Sequence, residues 1–149
     1  MKRAPVAGAL VKEETLSVIE GIQGLPLVTG ASTGIGAIYA DRLARRGYDL
    51  LLVARDGARL AALAGKLERE TGRSAEILRA DLTHGAEVAE LAHRIEADES
   101  LALLVNNAGM GLPGGLASAD ADDVARLVAL NVVTPTLLAR AAVRSLTRR

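Results

Sequence analysis

Along this chain, short continuous apolar runs alternate with longer stretches that carry one apolar face. Leu25-Pro26-Leu27-Val28 is the first apolar run and predicts a short buried strand. The stretch Ile35 to Arg46 follows, with Ile35, Ile38, Tyr39 and Leu43 at helical spacing, and Arg45-Arg46-Gly47 supplies cations and a glycine stop. Asp49 to Ala54 reads as a strand covered on both faces. A helix is then expected from Asp56-Gly57 to about Thr71, with Leu60, Leu63, Ala64 and Leu67 inward and Gly72 as its end. Ser74 to Ala80 suits a third strand, and Thr83 is placed to cap a helix through Val88, Leu91, Ala92 and Ile95. Leu101 to Val105 is the fourth strand, and Met110 to Ala119 a glycine-rich loop. Asp120 to about Ser145 predicts a long helix that Pro135 should kink or divide, since proline removes a helix hydrogen bond.

Four strand-to-helix cycles imply parallel pairing through right-handed crossovers. The expected fold is therefore α/β: a Rossmann-like, doubly wound parallel sheet in three layers, over residues 25–149. Ligands in such sheets bind beyond the carboxyl ends of the strands. Residues 1–24 are expected to form an extension. Their apolar run is interrupted by Lys12-Glu13-Glu14, too early for a signal core or a membrane span.

Between the first strand and helix lies Thr29-Gly30-Ala31-Ser32-Thr33-Gly34-Ile35-Gly36. Glycine allows the backbone of such a turn to approach a ligand closely, and the amides opening the helix then face it with the helix dipole behind them. This predicts an anion site, specifically for a pyrophosphate.

Composition narrows the partners. Lysine plus arginine and aspartate plus glutamate number 18 each, which gives no general attraction to nucleic acid or anionic membrane. Tyr39 and Tyr48 are the only aromatic residues, too few for a base-stacking platform. With no cysteine, disulfides, zinc–thiolate sites and thiol nucleophiles are excluded. A cytoplasmic location is expected. His84 and His93 lack metal-ligand spacing and are read as helix surface.

Taken together, the residues from Leu25 to Arg144 resemble the short-chain dehydrogenase/reductase family. The likeness rests on the Thr-Gly-x-x-x-Gly-x-Gly form through Gly30, Gly34 and Gly36, on Asp81-Leu82 after the third strand, on Asn106-Asn107-Ala108-Gly109 after the fourth, and on Asn131. The resemblance implies a nicotinamide dinucleotide cofactor. Gly30, Gly34 and Gly36, with backbone at Ser32, Thr33 and Ile35, would border its phosphates and adjoining ribose. Asp81 and the Leu82 amide would contact adenine; Asn107, Ala108 and Gly109 would line the cofactor while Asn106 holds the sheet. Asn131 is similar to the family asparagine of a water-linked proton path.

Cofactor choice follows from the end of the second strand, Val53-Ala54-Arg55-Asp56. An acidic residue there bonds the ribose of NAD. Ala54 occupies that place, and Arg55 can grip a 2′-phosphate, so NADP(H) is favoured over NAD(H). Asp56 is open to two readings, ribose ligand or helix N-cap.

In the family a tyrosine exchanges the proton with the substrate, a lysine four residues later lowers its pKa, and a serine orients the substrate. Leu43 follows Tyr39 and Leu52 follows Tyr48 at that spacing, so neither tyrosine makes the pair. The expectation is an incomplete domain that is inactive alone, with the alternative of a noncatalytic dinucleotide-binding, dimerisation or regulatory module. An apolar fourth strand at a sheet edge, or the last helix, invites self-association.

Overall fold

The computed structural model describes residues 22–148, so residues 1–21 of the expected extension lie outside the described residues. Four parallel strands, β1 (Leu25–Thr29), β2 (Leu50–Ala54), β3 (Ala75–Arg79) and β4 (Leu101–Val105), form one sheet in the order β3-β2-β1-β4. Helix α1 (Gly34–Arg45) links β1 to β2, α2 (Gly57–Thr71) links β2 to β3, and α3 (Gly85–Ala97) links β3 to β4. After a short 3₁₀ turn at Leu116–Ser118 come α4 (Ala121–Val128), a π-helical turn (Ala129–Val133) and α5 (Thr134–Leu146).

Strand alternation divides the core into two layers. On one face Val28, Leu50 and Leu52 pack with Ala40, Leu43, Leu60 and Leu67 from α1 and α2. On the other, Leu27, Leu51 and Val53 pack with Leu91 and Ile95 of α3 and Leu138 and Ala141 of α5. The three-layer doubly wound architecture is thus present, with apolar side chains covering both faces of the central strands.

Pro26 stands in β1 between two hydrogen-bonded neighbours, where a proline has no amide to donate. The pairing accommodates it by shifting register between Leu25 and Pro26, from Leu25 opposite Leu101 to Pro26 opposite Leu103. The skipped residue, Ala102, reverses the alternation in β4. Leu101 and Leu104 consequently face one layer while Leu103 and Val105 face the other.

Two helix readings need correction. The inward face of α1 is Gly36, Ala40, Leu43 and Ala44. Ile35, Ile38 and Tyr39 are 65%, 53% and 46% exposed. The spacing fits both faces of the helix, and close packing onto the glycine turn selects the small residues. Thr83 is not the cap of α3: His84 holds that position, while Thr83 donates its amide and hydroxyl to Asp81 Oδ1 at 3.0 and 2.7 Å. Asp81 lies two residues upstream and captures it in a local turn.

The long helix divides as expected, by a π turn ending just before Pro135. That residue cannot bond the carbonyl of Asn131 four positions back, and the widened turn absorbs the mismatch. By length and composition the run Ala121–Leu146 would also suit a membrane crossing. In this fold, however, its Leu138, Ala141 and Ala142 complete the second core layer.

Candidate functional site

At the carboxyl ends of the strands, where β1 and β4 send their chains to opposite faces of the sheet, lies a cleft of about 320 Å³. The turn after β1 contributes Gly30, Ser32, Thr33, Gly34 and Ile35. Ala54 and Arg55 come from the end of β2, and Ala80, Asp81 and Leu82 from the end of β3. Asn107, Ala108 and Gly109 follow β4, and Leu130 reaches in from the π turn. The motif residues singled out in sequence are therefore brought together, with three exceptions: Gly36 lies behind the lining, and Asn106 and Asn131 lie outside it.

The glycines act differently. A Cβ at Gly36 would sit 2.3 Å from the Gly30 carbonyl oxygen and 2.6 Å from Asn107 Nδ2, so this position is closed by packing. A Cβ at Gly34 would meet nothing within 4 Å. Gly34 instead has φ +55°, a left-handed conformation that side-chain-bearing residues avoid. It leaves the mouth of the turn open. Helix α1 starts there with no side-chain cap and no acidic residue in its first turn, whereas Asp56 caps α2 and Asp120 caps α4. Its first amides therefore present partial positive charge towards the cleft.

Thr29, missed as a site residue by sequence reasoning, is the buried hub of the wall. Its Oγ1 accepts from the amides of Asn107 (3.0 Å) and Ala108 (3.1 Å) and donates to the Val105 carbonyl at 3.3 Å. Asn107 Nδ2 donates to the carbonyls of Thr29 and Gly30 at 3.1 and 3.2 Å. The tie between β4 and the glycine turn thus belongs to Asn107. Asn106, expected to hold the sheet, is exposed and donates to the Pro135 carbonyl at 3.1 Å.

On the β3 side, burial pushes the Asp81 carboxyl pKa up. The two bonds from Thr83 and the charges of His84 and Arg55 outweigh it, so the group is held below the ordinary carboxyl value. Glu87 supports this turn from below, its Oε2 accepting the Asp81 amide at 2.7 Å. That bond, with the one to His84, lowers the Glu87 pKa. A glutamate six residues after an Asp-x-Thr turn is a signal that sequence could have offered.

Asp56 resolves as the N-cap of α2. Its Oδ1 accepts the Arg59 amide at 3.0 Å and its Oδ2 lies 3.3 Å from Arg59 Nε. The Arg55 side chain is exposed at the cleft rim and has no hydrogen bond or ion pair among the described residues. Asn131, on the π turn, engages Met110 at both ends: Oδ1 accepts its amide at 2.9 Å and Nδ2 donates to its carbonyl at 2.7 Å. The asparagine holds the loop after β4 against the helix. Neither tyrosine lines the cleft.

The sequence model of the short chain dehydrogenase family matches residues 26–149. The chain belongs to this family. A short-chain dehydrogenase from Sphingobium yanoikuyae, solved in complex with NADPH, is 49% identical with a TM-score of 0.78, over 80% of this chain and 46% of that one. The bulky-bulky ketone specific alcohol dehydrogenase from Comamonas testosteroni is 46% identical with a TM-score of 0.77, over 80% of this chain and 48% of that one. Human 17-beta-hydroxysteroid dehydrogenase type 3 is 40% identical over 92 residues, 62% of this chain and 29% of that protein. The chain thus spans half or less of the length of these relatives.

The cleft fits the family's dinucleotide. It has an open glycine turn, an uncapped helix start for phosphates, and an Asp81 Oδ2 left without a partner among the described residues.

Proposed function

We propose that this chain is the NADP(H)-binding portion of a short-chain dehydrogenase/reductase oxidoreductase. The observation that carries the reading is the open, uncapped start of α1 beneath Gly34, facing a cleft at the switch point of the sheet. The NADPH carried by the Sphingobium relative supports it. When bound, the nicotinamide supplies hydride transfer. The residues of this chain bind and orient it. The amides of Gly34 and Ile35 take the phosphates, Asp81 Oδ2 accepts from the adenine amine, and Asn107, Ala108 and Gly109 line the path between.

Preference for the 2′-phosphorylated cofactor rests on Arg55. Its guanidinium stands unengaged one residue after Ala54, which occupies the place where an NAD site carries an acid, and Asp56, the competing ribose ligand, is committed to its helix. The 149 residues contain no Tyr-x-x-x-Lys pair, so the chain by itself binds cofactor without reducing carbonyls. Asn131 acts as a positioning residue for the loop at Met110 rather than on the reacting atoms. Self-association uses the edge of β4 or the exposed apolar face of α4 and α5.

Titration of the folded chain with NADPH, followed by cofactor fluorescence, is expected to saturate, with NADH bound more weakly. Absence of binding to a folded sample overturns the cofactor reading. Carbonyl reduction by the purified chain overturns its inactivity. The alternative, a noncatalytic dinucleotide-binding, dimerisation or regulatory module, is favoured by exposed Val132, Val133, Leu137 and Val143, and predicts association without carbonyl reduction.

A further inference from the structure

Beside the cleft is a second recess of about 380 Å³, lined by Arg55, Arg79, Asp81, His84 and Glu87. It shares Arg55 and Asp81 with the cleft, so a ligand lying across the end of β2 extends from one into the other. Arg79 is the last residue of β3, in register with Ala54 across the β2–β3 pair. Its Nε donates to the Arg55 carbonyl at 3.1 Å. No other bond engages its guanidinium among the described residues.

Of the two carboxylates of the recess, Glu87 is engaged at both oxygens and Asp81 at one, its Oδ2 being assigned above to the adenine in the neighbouring cleft. Glu87 Oε2 takes the Asp81 amide and Oε1 lies 3.1 Å from His84 Nδ1, while Asp81 Oδ1 takes both bonds from Thr83. As hydrogen-bond donors to an anion the recess offers, besides His84, two guanidinium groups with free N–H groups, that of Arg79 pinned by its own Nε. A pinned fork loses less freedom on binding than a free side chain, and a phosphate monoester with three oxygens accepts from two forks at once.

From this pairing we infer that Arg79 is a second specificity-determining residue, joining Arg55 in gripping the 2′-phosphate of the cofactor. The inference rests on the NADP(H) reading above and adds a residue to it. Arg79 does two things through one side chain: its Nε fixes the Arg55 backbone, and its remaining N–H groups donate to the phosphate. Arg55 supplies the opposing contacts. The adenine and pyrophosphate contacts, made in the neighbouring cleft, do not depend on Arg79.

The test compares cofactors that differ only in that phosphate. Dissociation constants for NADPH and NADH are measured on the full 149-residue chain and on Arg79→Ala, Arg79→Lys and Arg55→Ala, with competition by 2′,5′-ADP and 5′-AMP. For Arg79→Ala, NADPH and 2′,5′-ADP are expected to weaken roughly tenfold or more, with NADH and 5′-AMP unchanged. Arg79→Lys keeps the charge without the fork and is expected to recover part of the loss. A ratio of NADPH to NADH affinity that stays at the parent value in Arg79→Ala, or a parallel loss of both cofactors, overturns the role of Arg79. If Arg55→Ala alone shifts the ratio, the NADP(H) reading stands and Arg79 is excluded from it. If the parent chain binds neither cofactor, the reading falls and the inference with it.

Discussion

At single residues, the difference between Gly36 and Gly34 separates packing from conformation. Gly36→Ala drives a methyl group onto the Gly30 backbone carbonyl at 2.3 Å, and is expected to cost about 1–3 kcal/mol and abolish NADPH binding. Gly34→Ala meets no neighbour and carries only the left-handed strain, about 1–2 kcal/mol. Thermal melting alongside cofactor titration separates the two: Gly34→Ala still binds more strongly than Gly36→Ala. Asp81 makes a prediction of a different kind. Its folded pKa lies below its unfolded value, so its contribution is full above the unfolded pKa of about 4 and disappears as pH falls through the folded value. The melting-temperature gap between the parent chain and Asp81→Asn is therefore expected to hold constant between about pH 5 and 7 and to close below about 4. A gap that widens in acid contradicts this assignment. The motif residues Gly30, Gly34 and Asp81 could be read from sequence because their identities carry their reasons. Thr29 could not, since its role depends on the amides of Asn107 and Ala108, nearly eighty positions away.

At the level of elements, the helix after β4 shows how one polar side chain shapes a loop. The two bonds from Asn131 clamp Met110, and Thr134 Oγ1 donates from the start of α5 to the Leu82 carbonyl at 2.7 Å. The π turn thus carries one anchor within it and a second immediately after it. Asn131→Ala is expected to destabilise the fold by only about 1 kcal/mol, because the site is exposed, yet to speed hydrogen exchange at the Met110 amide and through the loop to Ala119. Unchanged exchange there would show that the clamp does not hold the loop. The reversal of faces in α1 belongs to this scale too. Ile35, Ile38 and Tyr39 form as good an apolar stripe in sequence as Gly36, Ala40 and Leu43, and periodicity does not choose between them. Contact with the glycine turn does: only small residues let α1 approach β1 closely enough for Gly36 to meet the Gly30 carbonyl.

For the whole molecule, the sheet has two open edges among the described residues. β3 is largely exposed and β4 ends the sheet at the other edge, while the segment from α4 through the π turn to α5 leaves Val128, Val132, Val133, Leu137 and Val143 exposed. An open strand edge and exposed apolar side chains favour association. Sedimentation is expected to show mass rising with protein concentration, and Val132→Lys combined with Leu137→Glu to shift it towards monomer; a parent chain monomeric at all concentrations contradicts the expectation. The sequence by itself determined the four strand-helix cycles, the order of the motifs and the ends of α2 from Asp56 to Gly72. Those features follow from local periodicity, capping and turn chemistry. Tertiary structure alone decided which face of α1 is buried, how a register shift admits Pro26, and why Asn107 rather than Asn106 ties the turn to the sheet. It also brought Arg79 beside Arg55, although 24 positions separate them. Parallel pairing joins strands that a whole helix separates in sequence, and no local pattern encodes which side chains then become neighbours.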